Sequence, residues 1–401
     1  MNPLLRHLQP YPFERLRQLN QGIVPNPQLT PIHLSIGEPR HASPNIVVDT
    51  LTQSLAGLSL YPSTQGLPAL REAIANWLSW RFQIEPGLLT PEQHILPVNG
   101  SREALFASIQ ALLDPADHGL VLMPNPFYQI YEGAAILAGA EPWYLPCDEE
   151  QPYPDYLAIP ASIWQRTRAV FVCNPANPSG AVTPPDTLRT LIELAQRHQF
   201  IVLSDECYTE IYPDEDHPPA GLLQIAADMG LTDFSGLLVF HSLSKRSNLP
   251  GLRSGFVAGD ARLIKDFLLY RTYHGSAMSV PTQLASLRAW TDETHVRDNR
   301  TLYRQKFQSV MNILQPAWPQ KAPDASFYLW AKTPISDTEF AQKLWQEQHV
   351  QVLPGSYLSR NVNGNNPGAQ WVRMALVPDL AHCEEAAHRI VTFFHQHSGA
   401  F

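Results

Sequence analysis

The sequence predicts an α/β fold: a large unit built on a mostly parallel sheet flanked by helices, followed by a smaller α+β unit. Three observations carry that expectation. Short apolar runs at 119–123, 169–173, 200–204 and 237–240 read as strands buried on both faces. Helical patterns lie between them, as connections between parallel strands require. The texture changes after about residue 285, and 401 residues exceed one typical core.

In chain order, residues 1–45 form a proline-rich arm with Pro25, Pro27 and Pro31. Leu67–Phe82 is an amphipathic helix, because Leu70, Ile74, Trp77, Leu78 and Phe82 recur near helical spacing. A second helix, Ser101–Leu113, starts after the turn Asn99-Gly100. Further helical segments fall at Asp186–His198 and Leu263–Leu269, between the strand runs. Then comes a long helical stretch, Thr282–Leu314, followed by strands at Ser326–Ala331, Gln351–Pro354 and Gln370–Ala375. The expected division is an arm over 1–45, a large domain over 46–285 and a small domain over 286–401, which the arm joins. Most of the 37 prolines punctuate turns, and there is no internal repeat.

Composition narrows the function classes. Hydrophobic residues make up 44% and charged residues only 16%, below the usual ~25%, which points to extensive burial, including a subunit interface. The net charge of −9 and the lack of any Lys/Arg-rich run argue against a nucleic-acid partner. Cys147, Cys173, Cys207 and Cys383 are widely spaced and read as reduced, buried thiols rather than a zinc site or a disulfide framework. No signal-peptide core and no apolar stretch of ~20 residues is present, so the expectation is a cytoplasmic protein without a membrane segment.

The most informative residue is Lys245, which ends the run Phe240-His241-Ser242-Leu243-Ser244-Lys245, with Arg253 eight residues later. Desolvation and a nearby cation both lower an amine's pKa, and a neutral amine can form a Schiff base with an aldehyde cofactor. Ser242, Ser244 and Arg253 can grip a phosphate. Gly100-Ser101-Arg102 opens a helix, whose N-terminal N–H groups and the Ser101 hydroxyl suit the same anion. Asp205 closes the apolar run Phe200-Ile201-Val202-Leu203 and needs a partner when buried; a protonated pyridine nitrogen is one. Tyr208, three residues on, could reach a ring oxygen. Asn174-Pro175-Ala176-Asn177-Pro178-Ser179-Gly180 is a rigid loop able to aim the Asn177 amide at a fixed ligand oxygen. Tyr128 offers a ring for stacking, and Arg373 is a charge inside an apolar strand. Each has a plainer reading: surface lysine, helix cap, packed tyrosine, proline turn, or an arginine paired with a protein carboxylate.

Together and in this order, these pieces resemble the fold-type I pyridoxal-phosphate aminotransferases of classes I and II. The resemblance runs from Ser35-Ile36-Gly37-Glu38-Pro39 through Tyr61-Pro62-Ser63-Thr64-Gln65-Gly66 to Arg373, with Ser179 where the family more often has threonine. It implies a fold like that of aspartate aminotransferase and pyridoxal 5'-phosphate as cofactor. Lys245 would then be the Schiff-base lysine, Asp205 the partner of the pyridine nitrogen, Asn177 and Tyr208 the ligands of the ring oxygen, and Tyr128 the stacking ring. Gly100, Ser101, Arg102, Ser242, Ser244 and Arg253 would hold the phosphate. Tyr61 would reach the phosphate across the interface of a homodimer with shared active sites, and Gly37, Asn177 and Arg373 would contact the substrate carboxylate.

Within that family, Met1-Asn2-Pro3-Leu4-Leu5, Gln9-Pro10-Tyr11-Pro12-Phe13-Glu14-Arg15-Leu16, residues 34–39 and residues 240–259 resemble bacterial succinyldiaminopimelate transaminases. That implies amino exchange between N-succinyl-LL-2,6-diaminoheptanedioate and 2-oxoglutarate, in lysine and peptidoglycan-precursor synthesis. Such a substrate calls for a second cation beside Arg373, with Arg40, Arg102 and Arg246 as candidates. An aspartate or aromatic aminotransferase, or a carbon–sulfur β-lyase, would share the same core residues. A transcription regulator carrying this fold would need a basic DNA-binding region and extra length. Neither G-x-x-x-x-G-K-[ST] nor G-x-G-x-x-G appears, which disfavours a nucleotide-binding enzyme.

Overall fold

The computed structural model describes residues 2–397. Its centre is a seven-stranded sheet of β2 (Ile95–Val98), β3 (Leu120–Asn125), β4 (Glu141–Pro146), β5 (Thr167–Cys173), β6 (Ile201–Asp205), β7 (Leu237–Ser242) and β8 (Gly255–Gly259). The order across it is β2-β8-β7-β6-β5-β3-β4. Pairings β3–β4, β3–β5, β5–β6 and β6–β7 are parallel; β8 alone runs against its neighbours. The expected α/β fold with a mostly parallel sheet is therefore present.

The uniformly apolar strands follow from burial on both faces. Val170, Val172, Val202, Leu237 and Val239 pack on one side, while Ala169, Phe171, Leu203, Leu238 and Phe240 pack on the other. Helices Pro68–Arg81, Pro185–His198, Leu222–Asp228 and Val280–Trp290 supply the first face. Helices Ser101–Leu112, Ile130–Leu137 and Ala261–His274 supply the second. Pro68 and Pro185 each sit at the first turn of their helix, where a missing N–H costs nothing.

A further cluster joins Ile32 and Leu34 to Val310, Leu329, Phe340, Val350, Val372, Met374 and Phe393. It underlies β9 (Tyr328–Lys332), β11 (Leu353–Pro354) and β12 (Trp371–Ala375), paired antiparallel in the order β11-β12-β9. A two-residue strand of the arm, β1 (Ile32–His33), runs parallel to β10 (Val350–Gln351).

Several expectations need revision. The stretch Thr282–Leu314 is two helices, Val280–Trp290 and Thr294–Leu314, because Asp292 caps the second by accepting from the His295 amide at 3.1 Å. Gln351–Pro354 is likewise split between two sheets. Strands β2, β4 and β8 lie outside the expected runs: prolines 97, 142 and 146 obscure the first two, and glycines bound the third.

Candidate active site

Register across the sheet assembles the site. Cys173 lies opposite Asp205, and Asp205 opposite Phe240, so β5 and β6 end level and β7 runs two residues further. The segments carrying Asn177, Tyr208 and Lys245 therefore leave the sheet at one edge, where ligands of open α/β sheets bind. A cleft of about 540 Å³ opens there. Gly37, Ser101, Arg102, Tyr128 and Asn177 line it, as do Asp205, Tyr208, Ser242, Ser244, Lys245, Arg253 and Arg373. Gly100 stands just behind, in a left-handed conformation (φ 88°); a Cβ there would sit 2.4 Å from Arg253 Nη2. Only glycine lets that guanidinium close on the helix N-terminus.

Lys245 lies in the short helix Leu243–Arg246, capped by Ser242 Oγ, which accepts from the Ser244 amide at 3.1 Å. Its amine donates to the Gly37 carbonyl and sits 5.2 Å from the Phe327 ring centroid. Burial lowers this amine to about 8, and the charges of Arg373 and Arg102 push the same way.

Asp205 is buried and accepts from the Tyr131 hydroxyl at 2.7 Å and from the Cys207 amide at 3.4 Å. No cationic side chain forms an ion pair with it among the described residues, and burial raises its pKa. The Cys207 thiol, in turn, donates to Ser101 Oγ at 2.9 Å.

Arg373, in β12, donates to Asn177 Oδ1 at 3.0 Å and to the Ser35 carbonyl at 2.8 Å, and lies 4.3 Å over the Tyr328 ring. Its Nε is buried without a partner, and all its acceptors are neutral oxygens. The alternative of a protein carboxylate partner is thus not what the structure contains. Tyr208 and Tyr328 share a hydroxyl–hydroxyl contact of 3.0 Å. Arg102 donates to the Tyr128 hydroxyl at 2.7 Å.

Two cations considered for a second substrate charge do not face the cleft. Arg246 is buried against Trp77 and Trp290 and paired with Glu293, and Arg40 is exposed elsewhere. Arg102 does face it. Tyr61 is fully exposed, at 104%, and is not part of this chain's own cleft. Tyr131, Cys207, Tyr328 and Glu38 join the site without standing out in the sequence. Tyr131 sits one helical turn beyond Tyr128, a spacing that carries no signal on its own.

The sequence profile of the family described as Aminotransferase class I and II matches residues 30–390. The chain belongs to this family. Aminotransferases of this family use pyridoxal 5'-phosphate, and the cleft fits it. Asp205 is a buried carboxylate lacking a cation, which a protonated ring nitrogen provides. Opposite lies a cradle of hydroxyls, a helix N-terminus and Arg253.

The LL-diaminopimelate aminotransferase of Nitratidesulfovibrio vulgaris strain Hildenborough is 34% identical over 367 residues, 90% of each chain. The crystal structure of an aminotransferase from Neisseria meningitidis superposes with a TM-score of 0.94 at 51% identity, covering 98% of this chain and 100% of that one. A probable N-succinyldiaminopimelate aminotransferase from Thermus thermophilus gives 0.81 at 25% identity, covering 95% and 99%.

Proposed function

We propose that the chain transaminates N-succinyl-LL-2,6-diaminoheptanedioate with 2-oxoglutarate, as a cytoplasmic homodimer serving diaminopimelate and lysine synthesis. The observation that carries the reaction type is the pairing, in one cleft, of the Lys245 amine with an Arg373 guanidinium whose Nε has no partner. Residues 46–285 would act as the cofactor-binding domain, and 286–401 with the arm as the smaller one.

Arg373 would receive the α-carboxylate, because its planar fork suits a bidentate acid and its protein acceptors, the Asn177 amide oxygen and the Ser35 carbonyl, leave its charge unneutralised. Gly37 and Asn177 complete that subsite. Bound pyridoxal phosphate supplies the electron sink that acidifies the substrate's Cα–H bond. Lys245 is the amine in the cleft that would hold the cofactor through its aldehyde. Its amine, lowered to about 8, would take the substrate's α-proton and return it to the carbon on the other side of the amino nitrogen. Asp205 would pair with the ring nitrogen and favour its protonated form, Asn177 and Tyr208 would hold the ring oxygen, and Tyr128 would offer a ring to stack on it. Gly100, Ser101, Arg102, Ser242, Ser244 and Arg253 hold the phosphate, with Tyr61 entering from a second copy. The second half-reaction runs the same residues backwards on a keto acid.

The resemblance to succinyldiaminopimelate transaminases and the Thermus neighbour support the succinylated substrate. Of the three arginines considered for its distal carboxylates, only Arg102 faces the cleft. A second reading, free LL-diaminopimelate, is favoured by the Nitratidesulfovibrio relative and by Glu38, a carboxylate in the same cleft that suits a distal ammonium.

The test is a half-reaction absorbance assay in which holoenzyme is mixed separately with glutamate, the succinylated compound, LL-diaminopimelate, aspartate and tyrosine. Fast conversion by glutamate and the succinylated compound supports the proposal. Preference for LL-diaminopimelate selects the second reading, and preference for aspartate or tyrosine removes both.

A further inference from the structure

Behind the cleft runs a chain of buried and half-buried polar side chains that the chemistry above does not use. Lys306, 2% exposed in helix Thr294–Leu314, places Nζ 2.6 Å from His41 Nε2 and 3.2 Å from the Val377 carbonyl. His41 Nδ1 lies 2.8 Å from Asn299 Oδ1. The Asn299 amide nitrogen donates to the carbonyls of Lys245, at 3.2 Å, and Arg246, at 3.4 Å. Asn248, in the turn between Lys245 and Arg253, also donates to Asn299 Oδ1, at 2.8 Å.

The directions of these bonds fix one another. A lysine ammonium only donates, so His41 Nε2 must accept and Nδ1 must carry the proton. Asn299 Oδ1 then accepts from both His41 and Asn248, leaving its nitrogen for the two carbonyls. Along Lys306, His41 and Asn299 each donor points toward the backbone of Lys245, while Asn248 donates into Asn299 from the turn on the other side.

This chain ties together three segments that bear on the cleft. His41 follows the segment that supplies Gly37, whose carbonyl accepts from the Lys245 amine. Val377 lies four residues beyond Arg373. Lys245 is thus held at both ends: its amine through Gly37 and its carbonyl through Asn299. No carboxylate pairs with Lys306 among the described residues. It faces the Tyr303 ring at 5.0 Å, and Cys383 and Asp379 both favour its charged form. Leaving a buried ammonium without an acid is costly, and apolar residues would fill the space more stably.

We propose that Lys306, His41 and Asn299 are positioning residues: a one-directional hydrogen-bond relay that holds the Lys245 backbone in register with Gly37 and the Arg373 strand. The relay rests on Lys245 being the reacting amine, but it is a separate assignment. Misplacing a reacting group by about 1 Å costs as much as ~100-fold in rate.

The test is a double-mutant cycle on the holoenzyme with Asn299→Leu, Lys306→Met and the pair, read as half-reaction rate at saturating amino donor. Each single variant should slow that rate about tenfold. The donor concentration for half-maximal rate should stay within about twofold, because Arg373 is untouched. The pair should be no slower than the worse single, because the two act through one chain. His41→Phe, which keeps the ring but not the nitrogens, should match them. Additive losses, or losses confined to donor affinity, overturn the relay. Thermal midpoint and cofactor stoichiometry identify a misfolded variant, and His41→Phe then decides. Borohydride reduction of the wild type separates the two assignments: no label on Lys245 removes the reading beneath the relay, whereas a labelled Lys245 with additive losses removes only the relay.

Discussion

The hydroxyl of Tyr131 points at Asp205 from 2.7 Å away, inside a fully buried floor where Tyr131 also stacks on Phe171, with ring centroids 4.4 Å apart. A buried carboxylate is stabilised as an anion by such a donor, against the burial that raises its pKa. Tyr131→Phe removes the donor and keeps the ring. The remaining carboxylate should hold its charge less well and so the ring nitrogen less firmly. A hydrogen bond to a charged group is worth about 1.5–3 kcal/mol, so α-proton transfer should slow roughly tenfold or more. Half-reaction rates with protiated and α-deuterated glutamate check this. An unchanged rate would show that Tyr131 only packs.

Arg373 offers the sharpest affinity prediction, because its guanidinium meets only neutral oxygens and keeps Nε unpaired. Arg373→Ala should raise the KM for every α-carboxylate substrate about 100-fold or more, the scale of losing one side of a desolvated charge pair. Arg373→Lys should recover only part of this, since a point charge cannot form the two parallel bonds. If the donor KM is unmoved in Arg373→Ala, the residue braces Asn177 and Ser35 and does nothing more.

Lys245 carries two linked expectations. Reduction of the holoenzyme with borohydride should leave a pyridoxyl adduct on the Lys245 peptide, and Lys245→Met should carry none. The same substitution reports on stability in the apoenzyme. The folded amine, at about 8, lies below the unfolded value of ~10.4, so between those two pH values the unfolded chain binds more protons and stability rises with pH. Below about pH 8 both states are charged, and the folded state bears the full burial cost. Apo Lys245→Met should therefore show a higher urea midpoint than apo wild type at about pH 7, with the gap closing toward about pH 10. A pH-independent gap would mean that the amine's charge is not the cause.

How far the sequence discloses this site depends on the kind of contact. Strands β5, β6 and β7 announce themselves, because burial on both faces keeps their interiors almost wholly apolar. Their ends then locate Asn177, Asp205 and Lys245. Edges and interruptions are harder: Pro97 and Pro142 break the pattern of real strands, and Asp292 ends one helix and caps the next without a glycine or proline to mark it. Long-range pairings are the least legible. Tyr131 and Asp205 are 74 residues apart, and Lys306 and His41 are 265 apart. Only the fold brings either pair together, and no local pattern distinguishes a tyrosine that caps a carboxylate from one that fills a core.

Tyr61 is wholly exposed, and near it in sequence Leu58 and Leu60 are also more than half exposed, an unusual amount of apolar surface for one short segment. A second copy of the chain covering this face, with its Tyr61 reaching this chain's phosphate cradle, would account for both facts. Tyr61→Ala should then weaken cofactor binding and activity although the side chain lies outside its own cleft. Subunit mixing makes the geometry decisive. A dimer of one Lys245→Ala chain and one Tyr61→Ala chain has one doubly defective site. Its other site is intact, because the Lys245→Ala chain lends a normal Tyr61 to the partner's normal Lys245. Unfolding and refolding the two variants together in equal amounts should regain about a quarter of wild-type activity, since half the dimers are mixed and each has one working site. If Tyr61 served only its own chain, the mixture would show no more activity than the average of the two variants measured separately.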